Sequence, residues 1–151
     1  MKICFICTAN ICRSYVSEML LKHYSGINAV NLEVISRGIY AQAHFKVPQK
    51  IIDYLKSKNI EFDNHVSTLV SKTDIESSDT VLVMEHSHYD FLTNKYSQFS
   101  DKIHLLMGYV YNKDEEVEDP ISETGRSFIK HMDMLDKIIK TLSSKLNPIS
   151  L

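Results

Sequence analysis

Two short runs in this chain are apolar at every position. Ile3 to Cys7 reads ICFIC, and Val81 to Met84 reads VLVM within the segment 79–85, DTVLVME. A strand with one wet face alternates apolar and polar residues, so an unbroken apolar run bounded by turn-prone residues suits a strand buried on both faces. Between and after these runs the pattern changes to a helical period. Val16, Met19 and Leu20 recur at helical spacing behind Ser14, and Ile51, Ile52 and Leu55 share a face within 47–58, with Pro48 in the predicted first turn. The segment 86–96 reads as a further helix, and a long amphipathic helix is predicted from Thr124 to Lys145 on Phe128, Ile129, Met132, Leu135, Ile138, Ile139 and Leu142. Two more strands are expected, at 31–36 (NLEVIS, ending just before Gly38) and from 102 onward (KIHLLMGYV). Alternating strands and helices define an α/β fold: a central four-stranded parallel sheet with helices on both faces. With 151 residues, no linker and no internal repeat, the expectation is a single domain over 1–151.

Several function classes fall away on composition. A formal net charge of −2 gives no large electrostatic footprint for nucleic acid or an anionic membrane. No apolar run approaches the length of a membrane span, and Ile3–Cys7 is too short for a signal-peptide core. The three cysteines, Cys4, Cys7 and Cys12, crowd into the first twelve residues and do not make a disulfide framework. A reducing, cytoplasmic setting is expected.

Sheets of this kind bind ligands beyond the carboxyl ends of their strands, where the strand order switches. The segment leaving the first strand is CTANICRSY, residues 7–15, which contains Cys7-x5-Arg13 followed by Ser14. Five residues between a strand and a helix can fold their backbone N–H groups into a concave, positive nest, an environment that favours a thiolate. The planar fork of Arg13 matches two oxygens of a tetrahedral oxyanion, and Ser14 can donate to the sulfur. These residue types at this spacing suit attack by sulfur on a bound phosphoryl group. Cys4-x-x-Cys7 invites a redox reading, but within one strand the two side chains point to opposite faces, which makes Cys4 a small core residue. Zinc would need a fourth ligand, and His23 stands on a predicted helix without a partner, so no metal is assigned. His86 and His88, two apart after a strand, read as helix or turn surface. Tyr109 and Tyr111 read as partly buried packing, and the acidic run 112–120 as a solvated loop that disfavours acidic substrates.

CTANICRS resembles the Cys-x-Gly-Asn-x-Cys-Arg-Ser loop of the low-molecular-weight protein tyrosine phosphatases, and Asp119-Pro120 stands late in the chain where that family keeps its general acid. VISRG (34–38), NHVSTLV (64–70) and SDTVLVMEHSH (78–88) resemble further segments of the family, so the likeness covers nearly the whole chain. The resemblance implies Cys7 as nucleophile, Arg13 as phosphate clamp and Asp119 as general acid and then base. It implies phosphate binding by the backbone amides of Thr8, Ala9, Asn10, Ile11, Cys12, Arg13 and Ser14. A supporting network of Asn10, Ser14, Ser36 and His65 also follows from it, as does a reversible disulfide from Cys12 that protects Cys7. No cofactor is implied. The implied partners are phosphotyrosine-containing proteins and a bacterial tyrosine kinase, with the chain a monomer or weak dimer.

Four positions depart from the family. Ala9 replaces the loop glycine, and strain is expected if that position needs a positive φ. Tyr15 replaces the usual proline, with little effect expected on the chemistry. The family's Asp-Pro-Tyr-Tyr wall is here Asp119-Pro120-Ile121-Ser122, which leaves Phe45 as the candidate for the missing aromatic contact. Bacterial members that hydrolyse phosphoarginine also lack the wall and resemble the middle of this chain, but their selecting Thr is here Ile11. Ile offers no polar atom to a guanidinium, so the reading is a phosphotyrosine phosphatase; the alternative is a protein arginine phosphatase. A catalytically silent phosphoryl-binding protein is a third reading, carried by Ala9 and the lost aromatics against the retained Cys7, Arg13 and Asp119. Related arsenate reductases relay oxidation to downstream cysteines, and none follows Cys12.

Overall fold

The computed structural model describes residues 1–28 and 31–146; parts of the expected 1–151 domain, 29–30 and 147–151, lie outside the described residues. In chain order the elements are β1 (Lys2–Cys7), α1 (Arg13–Asn28), β2 (Glu33–Gly38), α2 (Gln49–Ser57), α3 (Lys72–Ser77), β3 (Thr80–Val83), α4 (His86–Lys95), a 3₁₀ segment (Ser97–Lys102), β4 (Ile103–Leu105), α5 (Leu106–Tyr111) and α6 (Gly125–Leu146). The four strands form one parallel sheet in the order β2-β1-β3-β4, with Cys7 opposite Gly38 and Ile6 opposite Val83.

The two apolar runs occupy the middle of that sheet because only there are both faces covered. Ile3, Phe5 and Cys7 turn toward a core built with α1, α2, α5 and α6, whereas Cys4 and Ile6 turn toward a second core with α3, α4 and β4. Cys4 therefore lies on the face opposite Cys7, and burial drives its thiol far above its ordinary value. The amphipathic stripe of α6 buries Phe128, Met132, Leu135, Ile138, Ile139 and Leu142, but Ile129 is 43% exposed and falls off the stripe. No described helix is long and apolar enough to cross a membrane.

The strand expected from 102 is corrected. It ends at Leu105, and Leu106–Tyr111 is helical. Its partner β3 offers only Val81–Val83 to pair with, and beyond that point Leu106 and Val110, one helical turn apart, both reach the core. β2 begins and ends two residues later than expected and includes Gly38. Pro48 is the N-cap of α2 rather than part of its first turn. The short α3 was not predicted, although Ser71 and Asp74 form a capping box at its start.

From β1 the chain moves to one neighbour, β2, and then crosses to the other, β3. The crevice at this reversal opens above the carboxyl ends of β1 and β3. Residues after Cys7 and after Val83 are thereby brought side by side.

Candidate active site

Residues 8–12 form the loop between β1 and α1, and its only left-handed residue is Asn10, at φ 57°. The strain expected at Ala9 is therefore absent: Ala9 does not have a positive φ, and its carbonyl accepts from Ser67 Oγ at 2.6 Å. Asn is among the few side chains that tolerate the left-handed region.

The Asn10 side chain organises the hydrogen bonds around Cys7. Asn10 Nδ2 donates to Ser14 Oγ and to Ser36 Oγ, each at 2.9 Å, and its Oδ1 accepts from Thr68 N at 2.9 Å. Ser36 Oγ in turn donates to Glu18 Oε2 at 2.5 Å, and Lys22 Nζ pairs with the other Glu18 oxygen at 2.6 Å. Ser14 Oγ, which accepts from Asn10, lies 2.9 Å from Cys7 Sγ, within reach to donate to a thiolate there. His65 Nε2 donates to the Asn10 carbonyl at 2.6 Å, and its ring stacks on Tyr15 with centroids 4.2 Å apart. The four residues assigned to the supporting network are thus hydrogen-bonded together. Glu18, which the sequence did not single out, extends that chain, and Tyr15 supports the imidazole from below.

Arg13 is 2% exposed. Its Nη1 donates to the Val117 carbonyl and to Glu85 Oε2, both at 2.7 Å, and its Nη2 lies 3.6 Å from Asp119 Oδ2. Asp119 Oδ1 accepts from Ile121 N at 3.1 Å. Cys7, Thr8, Ala9, Ile11, Cys12, Arg13, Asp119 and Ile121 line one hollow of about 150 Å³. A larger hollow of about 820 Å³ lies elsewhere, between α2 and α6, and contains none of these groups. Cys12 is buried, and burial together with the neighbouring Cys7 and Asp119 pushes its thiol up to about 12; all three cysteines are free. Phe45 does not line the hollow and instead packs beside His44 and Tyr40, so Ile121 occupies the place expected for an aromatic. Tyr109 and Tyr111 are half-buried against the α6 side of the core, as expected.

His88 corrects the surface reading. It is 0% exposed, its Nδ1 accepts from Glu85 N at 3.1 Å, and its Nε2 is therefore the protonated nitrogen that donates to Thr8 Oγ1 at 2.9 Å. Burial, helped by the Arg13 guanidinium, lowers its pKa to about 4 and keeps it neutral. His86 is exposed, and Asp114 and Glu116 on its two ring nitrogens favour its charged form. The acidic run is accordingly anchored: Glu116 accepts from His86 N at 2.7 Å, and Val117 N donates to the Met84 carbonyl at 2.8 Å. Glu85 escaped the sequence reading, and His88 was read only as surface. The available signal was their place directly after β3, beside β1 at the crevice.

Gly38 closes the floor. A Cβ there would lie 2.4 Å from the Thr8 carbonyl oxygen and 3.0 Å from Asn10 N, so only glycine lets β2 support the loop this closely.

A parallel α/β sheet whose first strand ends in a Cys-x5-Arg loop at the order reversal, faced by an Asp, defines a phosphoryl-handling protein of the cysteine-dependent phosphatase class. The chain belongs to the low molecular weight phosphotyrosine protein phosphatase family, whose sequence model matches residues 2–149. It is 31% identical to a protein-arginine-phosphatase of Bacillus subtilis over 97% of each chain. It is 27% identical to the low molecular weight protein-tyrosine-phosphatase PtpB of Staphylococcus aureus, over 94% of this chain and 96% of that one. A crystal structure of a YwlE mutant from Bacillus subtilis superposes with a TM-score of 0.91 at 30% identity, over 97% of this chain and 98% of that one.

Proposed function

We propose that residues 1–151 form one cytoplasmic domain that hydrolyses phosphotyrosine in proteins through a cysteinyl-phosphate intermediate. The convergence of Cys7, Arg13 and Asp119 on one small hollow carries this reading. The phosphoryl oxygens bind the backbone N–H groups of Thr8 to Ser14 and the Arg13 guanidinium. Cys7 sulfur attacks phosphorus as the bond to the leaving oxygen breaks, and protonated Asp119 gives its proton to that oxygen. Asp119, now a carboxylate, takes a proton from the water whose oxygen attacks phosphorus as the S–P bond breaks. Cys7 leaves as a thiolate, held by the Ser14 hydroxyl that points at it. The apolar walls Ile11 and Ile121 favour a phenyl ring over a guanidinium.

A second reading, hydrolysis of phosphoarginine, is supported by the 31% identity to a protein-arginine-phosphatase. Rates on phosphotyrosine and phosphoarginine peptides, measured side by side for the wild type and Ile11→Thr, separate the two. Phosphotyrosine is expected to be the better wild-type substrate, and Ile11→Thr to move the ratio toward phosphoarginine by about tenfold. A wild type that prefers phosphoarginine overturns the first reading. A wild type without turnover on p-nitrophenyl phosphate, which still binds vanadate as Cys7→Ser does, marks a silent phosphoryl-binding protein.

A further inference from the structure

Asp119 is carried by a stretch with few ties to the rest of the molecule. Its side chain is 43% exposed, and the chain from 118 to 124 crosses from the Val117 anchor to the start of α6. Within the stretch, Glu123 N donates to the Pro120 carbonyl at 3.0 Å, a local turn that fixes its shape but not its place. Two ties run to the first turn of α6, Ser127 Oγ donating to Glu123 Oε2 at 2.7 Å and Phe128 N to the Thr124 carbonyl at 3.4 Å. The other outside ties among the described residues are the Arg13–Asp119 pair, a His131–Glu118 contact at 3.2 Å, and Lys50.

Lys50 is the second residue of α2, and its ammonium donates to two carbonyls of this stretch, Ile121 at 2.5 Å and Glu123 at 2.8 Å. The same ammonium lies 4.9 Å from the centre of the Phe128 ring on α6. Ile121 is held at both ends of its backbone: its C=O accepts from Lys50, and its N–H donates to Asp119 Oδ1 at 3.1 Å. A shift of Ile121 therefore shifts the carboxylate. Reaching a catalytic group within about 1 Å of its productive place is worth up to about two orders of magnitude in rate.

We propose that Lys50 is a positioning residue, strapping the acid-bearing stretch to α2 so that the Asp119 carboxyl meets the leaving oxygen. This rests on the reading of Asp119 as the general acid given above. The strap acts only on the step in which a proton is delivered, so its loss is felt by substrates whose leaving oxygen needs that proton. Phenyl phosphate has a poor leaving group; p-nitrophenyl phosphate has a good one.

The test compares kcat/KM on these two esters for the wild type, Lys50→Met, Lys50→Arg and Asp119→Asn, together with vanadate inhibition. The ratio of the two values does not depend on how much of a preparation is folded. Lys50→Met is expected to lose about tenfold on phenyl phosphate and under about threefold on p-nitrophenyl phosphate, the signature of a weakened proton donor. Vanadate affinity is expected to stay unchanged, and Lys50→Arg to recover most of the loss. Equal losses on both esters, or no loss, in Lys50→Met overturn the proposal if Asp119→Asn still discriminates between the esters. If Asp119→Asn does not discriminate either, the acid reading of Asp119 fails, and the proposal with it.

Discussion

Asn10 combines a left-handed backbone with side-chain bonds to Ser14, Ser36 and Thr68, so one residue sets the shape of the loop and holds the Ser14 hydroxyl beside Cys7. Groups of this kind are legible when their partners are near in sequence. Cys7 and Arg13 declare themselves by spacing, since the nest between them is local. Glu85, His88, Glu18 and Lys50 do not, because what they touch arrives through the sheet or from a distant loop. His88 shows what is missed: read as surface, it is sealed beneath Thr8 and neutral, with a pKa of about 4 against an ordinary 6.5. Below pH 6.5 the unfolded chain takes up a proton at His88 that the folded chain refuses. Stability is therefore lost as pH falls from about 6.5 toward 4, by on the order of 2–3 kcal/mol from this group. His88→Asn, which keeps an acceptor near Glu85 N but does not titrate, is expected to lose less between pH 7 and pH 4.5 in urea unfolding. Equal losses in the two proteins would show that His88 does not carry the acid sensitivity.

Among elements, β1, β3 and α6 follow directly from the sequence because their apolar patterns are long and their environments uniform. β4 does not, since an apolar run such as HLLMGYV fits strand or helix equally, and the choice is made by the short partner strand. α3 is six residues long and has only Ile75 to bury, so its capping box was its sole signature. The close fit of β2 against the loop was also hidden, because Gly38 looks like an ordinary strand end. Gly38→Ala forces a Cβ to 2.4 Å from a backbone oxygen that cannot rotate away. The loop must move, and kcat/KM is expected to fall about 100-fold, with weaker vanadate inhibition. Destabilisation of about 1–3 kcal/mol should accompany it. Wild-type vanadate affinity in this variant would mean that β2 does not set the loop's position.

The molecule as a whole depends on α6, which lies against α1 and closes the larger core. Met132 is fully buried there, whereas Ile129, on the same helix, looks outward. Met132→Ala is expected to cost about 2–5 kcal/mol in urea unfolding, and Ile129→Ala no more than about 0.5 kcal/mol. Comparable losses would mean that the outward face of α6 is also load-sharing. That the first strand is a central one has a consequence for synthesis. Ile3 pairs with Thr80, a residue translated 77 positions later, which at about 5–20 residues per second comes about 4–15 s afterwards. During that interval the most water-averse segment of the nascent chain, with both Cys4 and Cys7 in it, waits outside the ribosome with one of its two flanks uncovered. Asp119 emerges later still, 112 positions after Cys7, so the hollow that the two residues share forms only after both central strands have been made.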